Sequence, residues 1–176
     1  GVAERADHPI NCVTWAQAKA YCAQATQRLP TEAEWEAIAR GSCGHYVGDC
    51  AKSMPRYPWG LDVANCSITV MFGDTKAGCD AGLTRSVTAY AKDSSPYGVR
   101  GLGGNVSEWV ADGYDPGPWA ATKVVDPAGP ATATTRVVRG GNFTSKASQV
   151  RAGARSSRAP DSADPSVGFR CAADLL

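Results

Sequence analysis

Seven cysteines, at positions 12, 22, 43, 50, 66, 79 and 171, are the residues of this 176-residue chain best suited to chemistry. As thiolates they would hold soft metals; in pairs they would crosslink the fold. None lie in Cys-x-x-Cys pairs, and the only histidines are His8 and His45. Cys43, His45 and Cys50 could supply three zinc ligands, but their spacing matches no usual zinc module. Disulfides of an exported protein are the better reading, and an odd count leaves one thiol over. Between Cys79 and Cys171 there is no cysteine at all, so that stretch offers only hydroxyls, amides and charges.

The elements that must position these groups begin with two helices. Thr14-Trp15-Ala16-Gln17 and Thr31-Glu32-Ala33-Glu34 are both capping boxes, the second preceded by Pro30. Trp15, Ala18, Cys22 and Ala25 recur at helical spacing and predict one buried stripe. In the second helix Trp35 with Ile38 or Ala39 should face inward, Glu32 and Glu34 suit the first turn, and Gly41 suits the C-terminal cap. From Ser42 to about Tyr97 the chain is broken by Gly, Pro, Asn and Asp. Short strands inside long loops are expected there, Ile68–Phe72 being one apolar run. Arg136–Arg139 reads as a strand ending at Gly140-Gly141, and Val167–Ala172 as the last strand.

A net charge of +1 without blocks of like charge argues against a nucleic-acid groove or a membrane-surface patch. No apolar run approaches the ~20 residues of a membrane span. The opening Gly1-Val2-Ala3-Glu4 reads as that of a trimmed product whose export signal is gone. An extracellular or periplasmic location is expected.

Five segments, in order, carry a family resemblance: Val13-Thr14-Trp15 through Tyr21-Cys22; Arg28-Leu29-Pro30-Thr31-Glu32-Ala33-Glu34-Trp35-Glu36; Tyr57-Pro58-Trp59-Gly60; Tyr97-Gly98 through Gly104-Asn105-Val106-Ser107-Glu108-Trp109; and Arg139-Gly140-Gly141 leading to Gly168-Phe169-Arg170-Cys171. Together they resemble the formylglycine-generating-enzyme, or sulfatase-modifying-factor, family. The resemblance implies an α+β, C-type-lectin-like fold: two helices around a small twisted antiparallel sheet, rich in loops, with Cys22 bonded to Cys171. It implies one domain over residues 1–176, lacking the family's usual opening strand and helix. An uncovered apolar edge should result unless a separate chain or segment supplies them. Trp15, Trp35, Trp59 and Trp109 are read as packing, Arg28 and Glu36 as members of a polar network, and Gly140-Gly141 as a close backbone approach.

The family's oxidase activity makes formylglycine from a sulfatase cysteine, with two cysteines soon after the Gly-Gly as copper ligands. Here residues 142–150 contain none; Ser145 stands nearest the first ligand's place, so no copper is expected. Ser107 stands where the family usually has tryptophan. Two histidines cannot build the iron site of the related sulfoxide synthases. The resemblance also implies calcium sites near Asn65 and near Gly101, Gly104, Val106 and Glu108, although Gly101 replaces an Asp or Asn there. Cys66 and Cys79 fall close to the first of these and are expected to pair in place of the ion, with Cys43–Cys50 a second local bridge and Cys12 the odd thiol.

The expected function is a non-catalytic binding module for a protein or small ligand. Its surface would be the loop after Gly141 and the polar residues that follow: Phe143, Thr144, Ser145, Lys146, Ser148, Gln149, Ser156, Ser157 and Arg158. This placement resembles that of the variable proteins of diversity-generating retroelements. The alternatives are a formylglycine-generating oxidase and a structural accessory domain of a larger exported assembly. Sequons at Asn65, Asn105 and Asn142 complete the sequence signals.

Overall fold

The computed structural model describes residues 5–42, 45, 54–117 and 127–174. Both capping boxes form. In α1 (Trp15–Gln24) the Gln17 amide donates to Thr14 Oγ1 at 3.2 Å while Gln17 Oε1 accepts from the Thr14 amide at 2.9 Å. In α2 (Glu32–Arg40) Thr31 and Glu34 repeat the exchange, and Gly41 closes the helix at φ +76°. The buried stripe of α1 is narrower than its spacing suggests. Ala18 and Cys22 are buried, whereas Ala25 is an exposed cap residue.

Among the described residues four strands make one sheet in the order β3-β2-β1-β4: β1 Ser107–Gly113, β2 Arg136–Arg139, β3 Arg155–Arg158 and β4 Val167–Phe169. The sheet is mixed rather than antiparallel throughout. β2 runs antiparallel to β1 and β3, but β4 crosses to the far edge and pairs parallel with β1. Reaching that edge places Cys171 beside α1, where it forms the expected disulfide with Cys22. The last strand is also shorter than its sequence suggests; Ala172 instead makes an isolated bridge with Arg28.

Side-chain alternation along β1 and β2 builds a core on each face. Trp109 and Val138 pack under α1 with Ala18, Cys22, Leu29 and Val167. Val110 and Val137 pack under α2 with Trp35, Ala39, Leu102 and Ala152. The helices therefore cover opposite faces of the sheet. Trp15 and Trp109 each spend their ring N–H on a backbone carbonyl, Val110 and Val13 respectively, which fits a packing role.

The apolar run Ile68–Phe72 is buried from Ile68 to Met71 but forms no strand. Its backbone is shared among three loops: Asn105 donates to Val70 O, Cys79 to Met71 O, and Phe72 to Ser145 O. Cys66 and Cys79 are disulfide-bonded and clamp the two arms of this region. Cys12 is free and exposed. Cys43 and Cys50, and with them both the second local bridge and the zinc triad, lie outside the described residues.

Arg28 and Glu36 belong to two separate networks. Arg28 holds Glu34 and Asp174, and holds the Glu34 carboxyl down to about 2. Glu36 pairs with Arg40 and with the fully buried Arg139. Arg139 also meets buried Glu32, whose two oxygens are gripped by Arg155 at 2.6 and 2.9 Å. α2 is thereby tied to β2 and β3 by charge as well as by packing.

Candidate functional site

The Gly140-Gly141 pair fixes where the following loop begins. Gly140 sits at φ +73°, and a Cβ on it would lie 2.7 Å from Leu102 O; one on Gly141 would lie 2.5 Å from Val150 Cγ1. Any side chain would push the loop off the Leu102-Gly103 backbone. From that point Asn142 organises a tight turn. Its Oδ1 accepts from the Thr144 amide and hydroxyl at 2.9 and 2.7 Å, its carbonyl accepts from the Ser145 amide, and its own amide donates to Ser145 Oγ at 3.1 Å. Asn142 Nδ2 then donates to Ser107 Oγ, which donates to Gly140 O.

This turn and β3 enclose an open cavity of about 420 Å³. Of the expected surface residues, Ser145, Ser148, Gln149, Ser156 and Arg158 line it. Phe143, Thr144, Lys146 and Ser157 do not: Thr144 is spent on Asn142, and Ser157 points to the opposite face of β3 from Ser156. Ser156, Ser157 and Arg158 lie in an edge strand rather than a loop. The sequence reading missed Ser107, Asn142, Arg151 and Arg155 as wall residues.

A second cavity, of about 310 Å³, lies on the other side of the Gly104–Ser107 backbone. Gly101, Gly104, Val106 and Glu108 all line it. Asn65 does not; its Oδ1 caps Ser67 at 2.8 and 2.6 Å. Glu108 faces a cation already, for Arg170 donates to both its oxygens at 2.6 and 2.5 Å, and the Trp35 ring N–H adds a third bond at 2.7 Å. Calcium wants six to eight oxygens. Here Gly101 adds no side-chain oxygen and the guanidinium occupies the carboxylate, so the arrangement does not fit the ion. Among the described residues no three His, Cys, Asp or Glu side chains group as a metal site.

Asp93, almost fully buried in the wall of this second cavity, accepts from Thr69 Oγ1 and the Gly103 amide. Burial raises its carboxyl to about 6, against the pull of those two donors and of Arg170. A folded pKa above the unfolded 3.8 means the native state keeps the proton longer. Stability from this group is therefore present at low pH and lost as pH climbs to about 6, amounting to about 2–3 kcal/mol. Asp93→Asn can keep both contacts without the charge. Urea unfolding at pH 4 and pH 7 should show the variant more stable than wild type at pH 7 and level with it at pH 4. An equal fall in both proteins would refute the assignment.

A family model for the sulfatase-modifying factor enzyme 1-like domain matches residues 1–175. The chain belongs to this family. It is 39% identical over 190 residues to the formylglycine-generating enzyme of Thermomonospora curvata, covering 99% of this chain and 58% of that protein. It is 34% identical to the inactive C-alpha-formylglycine-generating enzyme 2 of Mus musculus, covering 98% of this chain and 51% of that protein. The chain thus spans a little over half the length of these curated relatives. Among solved structures, PvdO from Pseudomonas aeruginosa superposes with a TM-score of 0.77 at 24% identity, over 96% of this chain and 63% of that one. That likeness bears on the fold, which follows the family's α+β architecture. Ser145 and Ser107 are both buried in the wall of the first cavity.

Proposed function

We propose that this domain is a non-catalytic, exported binding module whose ligand enters the cavity beside Ser145. The observation that carries the reading is the state of Ser145 itself. It is a neutral hydroxyl, 6% exposed, already engaged by the Asn142 amide, at the place where the family resemblance implies a copper-binding thiolate. Among the described residues Cys22, Cys171, Cys66 and Cys79 are committed to disulfides, which also supports export, and no thiol lines the cavity. Among the described residues no helix is long and apolar enough to cross a membrane.

A copper(I) competition titration on a Cys12→Ser variant tests this. The variant should bind no copper tightly, because hydroxyls and guanidiniums do not replace thiolates. A stoichiometric site that Ser145→Ala abolishes would defeat the proposal. A second reading, an accessory domain docked on a neighbouring segment or chain, draws on Ile10, Tyr21 and Val87. Each is more than half exposed, and they rim the second cavity together.

A further inference from the structure

The two kinds of hydrogen-bonding atom are unequally available in the wall of the Ser145 cavity. Several of its acceptors are engaged within the wall itself. Asn142 Oδ1 takes two bonds from Thr144, Gln149 Oε1 takes one from the Lys146 amide at 2.9 Å, and Ser148 O takes one from Arg151 Nε at 2.7 Å. Ser107 Oγ both accepts from Asn142 and donates to Gly140 O, so it is framework rather than contact. The donors remain. Ser145 Oγ serves the Asn142 amide as an acceptor, which leaves its proton to give. Because Gln149 uses its oxygen, its amide N–H groups are left over. Arg151 is anchored through Nε, so its two terminal nitrogens still face outward.

Charge points the same way. Three arginines, Arg151, Arg155 and Arg158, and no acidic residue line the cavity. Arg155 is balanced by buried Glu32 and serves as a rigid part of the wall. Arg158 donates Nη1 to Ser157 O, and its nearest carboxylate, Asp164, stands 3.9 Å from Nε. Arg151 has no salt bridge to any described carboxylate. The cavity therefore carries an unbalanced positive charge on a donor-rich surface of small-ligand size. A neutral sugar would gain nothing from that charge, and a cation would be repelled.

We infer that this cavity selects small ligands through an oxoanion group, a carboxylate or a tetrahedral phosphate or sulfate, held between Arg151 and Arg158 with Ser145 donating from below. Planar guanidinium forks bind either shape through paired, charge-assisted bonds. The assignment rests on the binding-module reading above and adds a ligand class to it.

Calorimetric titration of the whole chain with acetate, inorganic phosphate, sulfate and glucose tests it. At least one anion should saturate a single site, more weakly as salt rises, while glucose gives no saturation. Which anion binds best decides between the planar and tetrahedral forms. Arg151→Gln with Arg158→Gln should weaken that anion about 10-fold or more, Ser145→Ala should weaken it a few-fold, and Arg5→Gln, a charge change outside the cavity, should leave it unaltered. Neither arginine is buried, so an unchanged melting temperature will certify that the double variant is folded. No saturable anion at millimolar probe, or equal binding by the double variant, overturns the inference. The copper titration distinguishes the two failures: copper held at Ser145 defeats the binding-module reading itself, whereas absent copper with absent anion binding defeats only the ligand class.

Discussion

Replacing Cys22 and Cys171 together by alanine should lower the unfolding free energy by about 4–5 kcal/mol. The bridge spans 149 residues, close to the whole chain, and loop closure over that length removes most of the entropy a single crosslink can take from the unfolded state. For a domain of this size the loss corresponds to a fall in melting temperature of roughly 10–20 °C. Cys66 and Cys79 are 13 residues apart, so the same substitution there should cost nearer 3 kcal/mol. Thermal unfolding of both double variants beside wild type gives the comparison. Equal losses would mean that the bridges act by local packing rather than through the open chain.

Glu32→Gln should cost about 3–5 kcal/mol, a large effect for a single isosteric change. Glu32 is 1% exposed and Arg139 is fully buried, their contact is 3.2 Å, and Arg139 Nε already lacks a partner. With the Glu32 charge gone, the Arg139 guanidinium would remain desolvated with Glu36 alone to balance it, and Arg155 of β3 would lose its bidentate anchor on α2. Burial already pushes the Arg139 guanidinium below its ordinary pKa, the direction expected of a charge that depends on its partners. Asp174→Asn offers the contrast: Asp174 pairs with Arg28 at 2.6 Å but is 76% exposed, and its loss should cost under about 1 kcal/mol. In urea denaturation, Glu32→Gln combined with Arg139→Met should be less destabilising than the sum of the two single changes. Strict additivity would show that the pair is not coupled.

Much of this fold is written in local signals. The capping boxes at Thr14 and Thr31 specify both helix starts within a few residues, and Arg136–Arg139 has a strand-like apolar centre between charges. The strand Ser107–Gly113 is harder to see. It is an inner strand, buried on both faces by α1 and α2, so its sequence shows no alternation and carries Glu108 and Asp112 inside the core. Strand Arg155–Arg158 hides for the opposite reason, because an edge built as Arg-Ser-Ser-Arg looks like a solvated loop until its ladder with β2 is known.

The candidate site was half legible. Ser145, Ser148, Gln149, Ser156 and Arg158 share a stretch of sequence whose lack of cysteines and wealth of hydroxyls point to binding. Ser107 comes from a strand more than thirty residues earlier, and the Asn142 side chain bonds it to the turn that holds Ser145. Arg155 reads as one more surface charge, since nothing local reveals that Glu32, 123 residues away, fixes it in the cavity wall. Asp93 is equally mute in sequence; a lone acid in a Gly- and Pro-rich stretch gives no sign of its burial.

The most direct measurement supplies copper, oxygen and a cysteine-bearing sulfatase-motif peptide to the purified chain and follows the peptide by mass spectrometry. Peptide cysteine left intact, at the rate seen without protein, is the result predicted for a cavity walled by hydroxyls and guanidiniums. Repeated conversion of that cysteine to the aldehyde, lost on Ser145→Ala, would contradict it.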